Sequence, residues 1–433
     1  MGTVYVTGHR NPDLDSVCSA YGYAGLMNMQ DAENTYIPVR CGHLSESARN
    51  IMEQLEIEIP AYMSDVYPKV KDVMLGDDYS IDAEDSLTAV AAIYKKNNPS
   101  AIPVYDKGEF YGLLTVDDIT NWTMRELSKS SKINEIPKVK EIMSAQTERL
   151  LSEELFDEAR AILQKSEERG LAVYEDDKYV GFVTRRCFLK FPEYNVILVD
   201  HNEPEQSIRG IETANIVGIL DHHRLDAIKT KQPIFICAEP LGSTCTIVYQ
   251  QYIRNNRTPD SVMAKVLLTG ILSDTLILKS PTTTGDDVVA AHVLASIARV
   301  DVEEYGMSMF SRVGGLKDKD PRAEISADFK TYTENGVKIG IGQCEVTTLN
   351  DLKGYSDKYQ EALNEIRDMK GLDWAVLMIT DVIHEHSALL STDHRGNRHL
   401  PYSSIGKNIF DMPHVMSRKK QLLPEIIHAV GDQ

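Results

Sequence analysis

The sequence predicts an α/β protein: an open parallel sheet domain interrupted by a duplicated module and followed by a smaller C-terminal α/β domain. Three observations carry that expectation. Apolar runs at 4–6, 196–199 and 216–220 have the length and composition of buried parallel strands, and each leads straight into an acidic or histidine cluster. Two separated segments recur at one offset of 69 residues. A strand and helix pattern resumes after a stretch at 314–321 rich in Gly, Lys and Asp, the best linker candidate.

The first run leads into Gly8-His9-Arg10-Asn11-Pro12-Asp13-Leu14-Asp15-Ser16, an imidazole and two carboxylates within seven residues. The second ends on Asp200-His201-Asn202 and the third on Asp221-His222-His223, while the apolar stretch 267–272, read as a helix, closes on Ser273-Asp274. Taken singly, each cluster is adequately explained as a capping group or a surface pair. Open α/β sheets, however, place ligands at the carboxyl ends of their strands, so groups distant in sequence converge there. A mixture of imidazole nitrogen and carboxylate oxygen suits two closely spaced Mn²⁺, Co²⁺ or Mg²⁺ ions better than a thiolate zinc site. Two such ions favour phosphoryl transfer.

The pattern Gly-His-x-Asn-Pro-Asp-x-Asp at 8–15, followed by motifs at 199–203, 221–223, 273–282 and 417–421 (Ser417-Arg418-Lys419-Lys420-Gln421), resembles the family II (DHH-type) inorganic pyrophosphatases. The resemblance implies a DHH-type parallel sheet and a DHHA2-type C-terminal domain. It implies hydrolysis of pyrophosphate to two phosphates by a hydroxide bridging two Mn²⁺ or Co²⁺ ions, with Mg²⁺ arriving on the substrate. By the same resemblance His9, Asp13, Asp15, Asp200, His222 and Asp274 ligate the metal pair, with Asp200 bridging, and His223 sits beside the substrate. Arg418 and Lys419 match the family's substrate clamp, and Lys330 aligns with its remaining lysine. The alternative within the superfamily is a phosphodiesterase or exopolyphosphatase. Many of those phosphodiesterases carry a Gly-Gly-Gly-His segment near the C-terminus, where this chain has the basic triplet. A sensor with a dead site would have no need of all six candidate ligands.

Composition frames these readings. At 433 residues, 42% hydrophobic and 26% charged, the chain is an ordinary soluble protein of several domains. Its net charge of −19 argues against nucleic acid as a partner. It also makes a basic triplet at 418–420 stand out as an anion clamp rather than a solvated run. The first thirty residues lack a signal pattern and no apolar stretch reaches membrane-spanning length, so the expectation is a cytoplasmic protein with no membrane partner. The six cysteines show no Cys-x-x-Cys spacing and are expected to be reduced and mostly buried.

The repeat sets Pro68-Lys69-Val70-Lys71-Asp72-Val73-Met74 against Pro137-Lys138-Val139-Lys140-Glu141-Ile142-Met143, and the hairpin at 104–115 against that at 173–184. Each copy reads as an opening segment, an amphipathic helix (86–96; 154–165), two β-rich runs and a closing helix. Two copies are too few for a solenoid. The pattern resembles a cystathionine-β-synthase (CBS) domain pair, which implies a regulatory adenine nucleotide site for AMP, ADP or ATP, with inhibition by AMP and ADP expected, and a homodimer. Thr115 and Asp118 match the ribose-binding positions. In the second copy Thr184 remains but Cys187 replaces the acid, and Arg185 and Arg186 are candidates for nucleotide phosphates. The 16 residues at 121–136 leave no room for a further domain between the copies. The expected boundaries are 1–67 and 192–315 for a discontinuous catalytic domain, 68–191 for the CBS pair, and 322–433 for the substrate-binding domain.

In that last domain strands are expected near 337–341 and 375–379 and a helix near 358–369. His384 and His386 read as an exposed edge or turn. Tyr105 and Tyr174, at equivalent repeat positions, are packing residues with a possible place on the nucleotide cleft.

Overall fold

The computed structural model describes residues 2–54, 56–129, 133, 135–144, 148–226, 229–310, 315–382 and 384–431. It contains two compact units, one holding the chain up to Val66 and from Asn195 onward, the other Tyr67–Tyr194.

The first unit opens with a six-stranded parallel sheet in the order Phe235–Ala238, Asn215–Asp221, Asn195–Val199, Gly2–Thr7, Asn34–Arg40, Ala61–Tyr62. Gly2–Thr7 and Asn195–Val199 are neighbours, Val6 opposite Ile197, although the whole second unit separates them in sequence. Successive strands run outward in opposite directions from that pair, so the strand order reverses there and a crevice opens at the carboxyl ends. Helix Ser261–Asp274 is buried on almost every side from Ala264 to Leu272, as a helix apolar all round must be. It packs with helices Leu14–Asn28 and Thr244–Arg254 in one core that includes Val199, Tyr252 and Leu267.

The same unit continues into a C-terminal lobe with a mixed sheet ordered Phe329–Glu334, Val337–Val346, Trp374–Asp381, His386–Ser391, Ile409–Pro413, Ser403–Gly406. All eight residues of Trp374–Asp381 are buried. Helix Leu352–Lys370 covers one face through Tyr359, Leu363 and Ile366, and helix Leu423–Gly431 the other through Ile426 and Ala429. The helix starts earlier than the sequence suggested, because Gly354 and Ser356 weaken the local propensity while the buried contacts of Leu352 and Ser356 favour it. The linker candidate at 314–321 is corrected in part. Gly314 lies outside the described residues, but Leu316–Asp318 form a short turn whose Leu316 is fully buried, and Lys319 Nζ is tied to Glu324 Oε1 at 2.5 Å and the Glu345 carbonyl at 2.9 Å. Four cysteines are buried, Cys18, Cys237, Cys245 and Cys344, and none of the six is in a disulfide.

The second unit contains the duplication. One three-stranded sheet comprises Ile81–Asp82, Ala101–Asp106 and Glu109–Thr115, the other Arg149–Leu151, Gly170–Glu175 and Lys178–Thr184. Helices Leu87–Asn97 and Phe156–Lys165 fall where the pattern placed them. The opening segments do not pack on their own copies. Val139 and Ile142 fill the core around Ile102 and Leu114 of the first copy, while Val70 is buried with Leu150 and Phe156 of the second. Ion pairs repeat the exchange: Lys69 and Lys71 reach Glu153, and Lys138 and Lys140 reach Glu84. The closing helix also differs between copies. The first has Val116–Lys129, the second only the short turn Arg185–Phe188. Asp117 and Asp118 suit a helix N-terminus, whereas Arg185 and Arg186 oppose it, and Pro192 disfavours helix just beyond.

Candidate active site

Three strand ends and one helix end deliver the cluster. After Gly2–Thr7 the loop turns back at Asp13, whose Oδ1 accepts the Ser16 backbone N–H at 2.9 Å as the N-cap of Leu14–Asn28. The loop is so tight that a Cβ on Gly8 would fall 1.8 Å from Ser16 Oγ. Asp13 Oδ2 is left 3.3 Å from His9 Nε2. Asp15 is fully buried under the start of Thr244–Arg254, where Ser243 Oγ, the Thr244 N–H and the Cys245 N–H donate to it at 2.6, 2.7 and 3.0 Å. A helix N-terminus is a natural place for a buried carboxylate.

Asp200 follows its strand in a left-handed conformation, φ 60°, which Asp tolerates better than most residues. Its two oxygens face different partners: Oδ2 is 3.3 Å from His9 Nε2, and Oδ1 is 3.4 Å from His222 Nε2. His222 Nδ1 contacts the Leu241 carbonyl at 3.0 Å, which turns Nε2 inward to within 3.5 Å of Asp274 Oδ2. That nitrogen is buried and, among the described residues, has no hydrogen-bond partner. Ligand atoms of His9, Asp13 and Asp200 lie within 4.8 Å of one another, as do those of Asp15, His222 and Asp274, and a third group joins Asp200, His222 and His223. All six residues singled out as metal ligands are therefore gathered around Asp200.

The electrostatics are those of an anionic nest. Burial would lower the His9 pKa, but the Asp13 and Asp200 carboxylates outweigh it and push His9 up to about 10. Burial, then the Asp15, Asp13 and Asp200 charges, raise Asp274 well above the carboxylate range, and burial with Asp200 raises Asp15 to about 6. A bare imidazole nitrogen among mutually repelling carboxylates fits a pair of divalent cations, and the N/O donor set suits Mn²⁺ or Co²⁺.

Sequence reasoning missed the group that orients His223. Asp221 Oδ1 lies 2.8 Å from His223 Nδ1 and accepts its backbone N–H at 3.0 Å, while Asn202 Nδ2 donates to Asp221 Oδ2 at 2.5 Å. The signal was available, since Asp221 opens the Asp-His-His triplet. Burial and the adjacent His222 hold His223 well below its ordinary pKa.

A cavity of about 790 Å³ is lined by His9, Asp13, His222 and Asp274 and also by Lys330, on strand Phe329–Glu334, and by Arg418 and Lys419, on the π-helical turn Arg418–Leu422. The basic triplet divides: Arg418 is buried, whereas the Lys419 and Lys420 side chains are exposed. Arg418 is 6% exposed and donates to Asp328, at 2.8 Å to the carboxylate and 3.0 Å to the carbonyl. Partial desolvation and the like charge of the neighbouring Lys330 lower the Lys419 pKa, although its side chain stays solvent-exposed. Lys420 instead donates to the Pro281 carbonyl at 3.0 Å. Asp328, the anchor of Arg418, was not anticipated. His384 and His386 pair separately, with Asp381 at 2.8 Å and Asp411 at 2.6 Å; His384 lies in an exposed turn as expected, whereas His386 opens an interior strand paired on both sides rather than an edge.

In the second unit the nucleotide candidates are largely engaged with their own chain. Asp118 is 4% exposed and accepts from the Thr115 N–H and hydroxyl and from the Ser144 N–H and hydroxyl, using all its acceptor sites. Thr184 is buried beside Cys187 Sγ. Arg185 folds back onto the Leu163 and Ser166 carbonyls, and Arg186 is exposed. Phe110 stacks on Tyr179 at 3.6 Å, Tyr105 and Tyr174 lie edge-on to that pair, and the Tyr105 and Tyr179 hydroxyls share Asp77.

This fold and this carboxylate-histidine nest define a metal-using protein of the DHH type: the DHH family, N-terminal domain, matches residues 3–271, and the DHHA2 domain matches residues 307–429. A cobalt-dependent inorganic pyrophosphatase of Clostridium perfringens is 28% identical over 99% of this chain and 98% of its own. A manganese-dependent inorganic pyrophosphatase of Bacillus subtilis is 36% identical over 55% of this chain and 77% of its own. The chain belongs to the DHH family and, within it, to the manganese- or cobalt-dependent inorganic pyrophosphatases of family II. A Methanococcus jannaschii crystal structure assigned to family II shares the fold, with TM-score 0.61 and 22% identity over 99% of both chains.

Proposed function

We propose that this protein hydrolyses inorganic pyrophosphate to two phosphates in the cleft between the parallel-sheet lobe and the C-terminal lobe, with adenine nucleotides acting through the 68–191 module. The observation that carries the reading is the shared Asp200 carboxylate, with His9 at one oxygen and His222 at the other. His9 and Asp13 would hold one divalent cation, Asp15, His222 and Asp274 a second, and Asp200 both. Cations bound there supply an acidified water and neutralise phosphoryl oxygens, and Mg²⁺ accompanies the substrate. Arg418, Lys419 and Lys330 take the phosphate turned away from the cations, and Arg418 is held for that by Asp328. His223, fixed by Asp221 through Nδ1, presents Nε2 as the site that takes and returns a proton. A basic clamp inside a chain of net charge −19 fits a small polyanion.

Residues 1–67 with 192–315 act as the catalytic domain, 68–191 as a CBS pair and 322–433 as the substrate-binding domain of a cytoplasmic homodimer. The duplicated sheets with exchanged opening segments support the middle assignment. AMP or ADP lowers turnover if it binds a less active arrangement more tightly. The test is phosphate release from pyrophosphate, tripolyphosphate and a dinucleotide, with Mn²⁺ or Co²⁺ plus Mg²⁺, with and without AMP. Pyrophosphate is expected to be the preferred substrate, and Asp200→Ala to lose at least about 10³-fold in rate, the scale of removing one strong electrostatic element. Faster release from either other substrate, or full activity of Asp200→Ala, would reject the reading.

A further inference from the structure

The segment that leaves Asp274 carries a conformation its residues do not prefer. Leu276, Ile277 and Leu278 have φ values of 49°, 55° and 63°, three successive non-glycine residues in the left-handed region. A β-branched residue there is an outlier that persists only where its surroundings over-determine it. They do so here. Leu276 and Ile277 are buried, and Ile277 fills the space opposite Gly306, where a Cβ would come within 2.8 Å of its Cγ2. The Ile277 N–H donates to the Leu272 carbonyl at 2.9 Å, and the Ser280 N–H to the Thr275 carbonyl at 2.8 Å. The result is a fixed reversal, with the Asp274 carboxylate near His222 at one end and residues 279–282 at the other.

Residues 279–282 meet the C-terminal lobe twice. Lys279 Nζ lies 3.5 Å from Glu385 Oε1, and Lys420 Nζ donates to the Pro281 carbonyl at 3.0 Å. Lys420 follows Lys419 on the cationic turn. Glu385 stands close after Val382, which is buried in the core of the parallel-sheet lobe together with Met416. The Lys420 bond joins the chain leaving a candidate metal ligand directly to the cationic turn, and the Lys279 contact joins it to Glu385, whose carbonyl accepts the His414 N–H at 3.3 Å just before that turn.

We propose that Lys279 and Glu385 are positioning residues for pyrophosphate hydrolysis: their ion pair, beside the Lys420 to Pro281 bond, holds the Arg418-Lys419 turn in register with Asp274. This rests on the pyrophosphatase reading. Neither side chain touches the reacting groups. Their part is to spare the substrate the work of ordering the two lobes, so their loss acts on KM rather than kcat.

The experiment uses the full-length protein with Mn²⁺ and Mg²⁺. Because the pair is partly exposed, Lys279→Met and Glu385→Gln are each expected to raise KM for pyrophosphate by about two- to fivefold, with kcat within about twofold. The reversed pair, Lys279→Glu with Glu385→Lys, restores KM, and Mn²⁺ affinity by equilibrium dialysis is unchanged throughout. Unchanged KM in both single variants, a reversed pair no better than either, or weakened Mn²⁺ binding would each overturn the proposal. A wild-type protein that fails to turn over pyrophosphate removes the underlying reading as well. Wild-type turnover with any of those three outcomes removes only the ion pair's role.

Discussion

At the scale of single residues, the site is a balance of like charges that only cations resolve. Buried Asp15 and Asp200 converge with half-buried Asp274, and the metal-free chain answers by keeping protons: His9 is held up at about 10, Asp15 at about 6, and Asp274 is raised well above its ordinary value. The sign of the consequence follows from linkage. A raised His9 contributes stability that is fully present below its unfolded value near 6.5 and is lost as pH climbs toward about 10. Raised carboxylates contribute in the same sense at lower pH, their share fading as pH rises through their folded values. The metal-free protein should therefore grow less stable from pH 6.5 to 10, while divalent cations, which bind the deprotonated ligands, bind more tightly over the same range. Titration calorimetry in buffers of different ionisation enthalpy is expected to show proton release on Mn²⁺ binding at pH 7, with affinity falling as pH is lowered to 6. Proton-neutral binding with flat affinity would contradict this account.

At the scale of elements, what was legible in the sequence was whatever chemistry marks directly. The four clusters that follow strands or end a helix were readable together, because each has an ordinary explanation singly but four at the ends of apolar runs share one metal-binding chemistry. Asp328 escaped because one Asp before a Lys looks like any surface pair, and only the fold brings Arg418 onto it across 90 positions. Asp15 was readable as a ligand, but not as the carboxylate that also receives the start of Thr244–Arg254. The 69-residue offset showed that a unit is duplicated. It was silent on which copy each opening segment packs against, since a repeat fixes similarity and not partner. That exchange gives an element-level prediction. Val70→Ala removes two methyl groups from the core around Leu150 and Phe156 and should cost roughly 2 kcal/mol. Hydrogen exchange is expected to speed up in peptides from 148–188 and to stay unchanged in 77–115. The opposite pattern would mean that the segments serve their own copies.

At the scale of the whole molecule, the compact unit Tyr67–Tyr194 separates two neighbouring strands of the parallel sheet in sequence, and the separation leaves its mark on neither the sheet nor the candidate ligands. Gly2–Thr7 pairs with Asn195–Val199 in continuous register, and every residue of the Asp200 cluster belongs to the unit formed by the chain up to Val66 and from Asn195. Both ends of the break are anchored in that unit: the Val66 N–H donates to the Arg209 carbonyl at 2.9 Å, and Asn195 opens a strand opposite Val4. A segment whose removal disturbs no core and orphans no ligand is a candidate for excision. Joining Val66 to Asn195 through a Gly/Ser linker of about ten residues, with a root-mean-square reach of roughly 17 Å, should give a protein that still folds cooperatively. It should hydrolyse pyrophosphate within several-fold of the full chain at saturating Mn²⁺ and Mg²⁺. Because the nucleotide candidates Thr115, Asp118, Thr184, Arg185 and Arg186 all lie within the excised stretch, AMP should alter turnover of the full chain and leave that of the shortened one unchanged. An AMP response that survives excision would move the regulatory site into the catalytic unit, and a shortened chain that binds Mn²⁺ but has lost turnover would make the module part of the catalytic machinery.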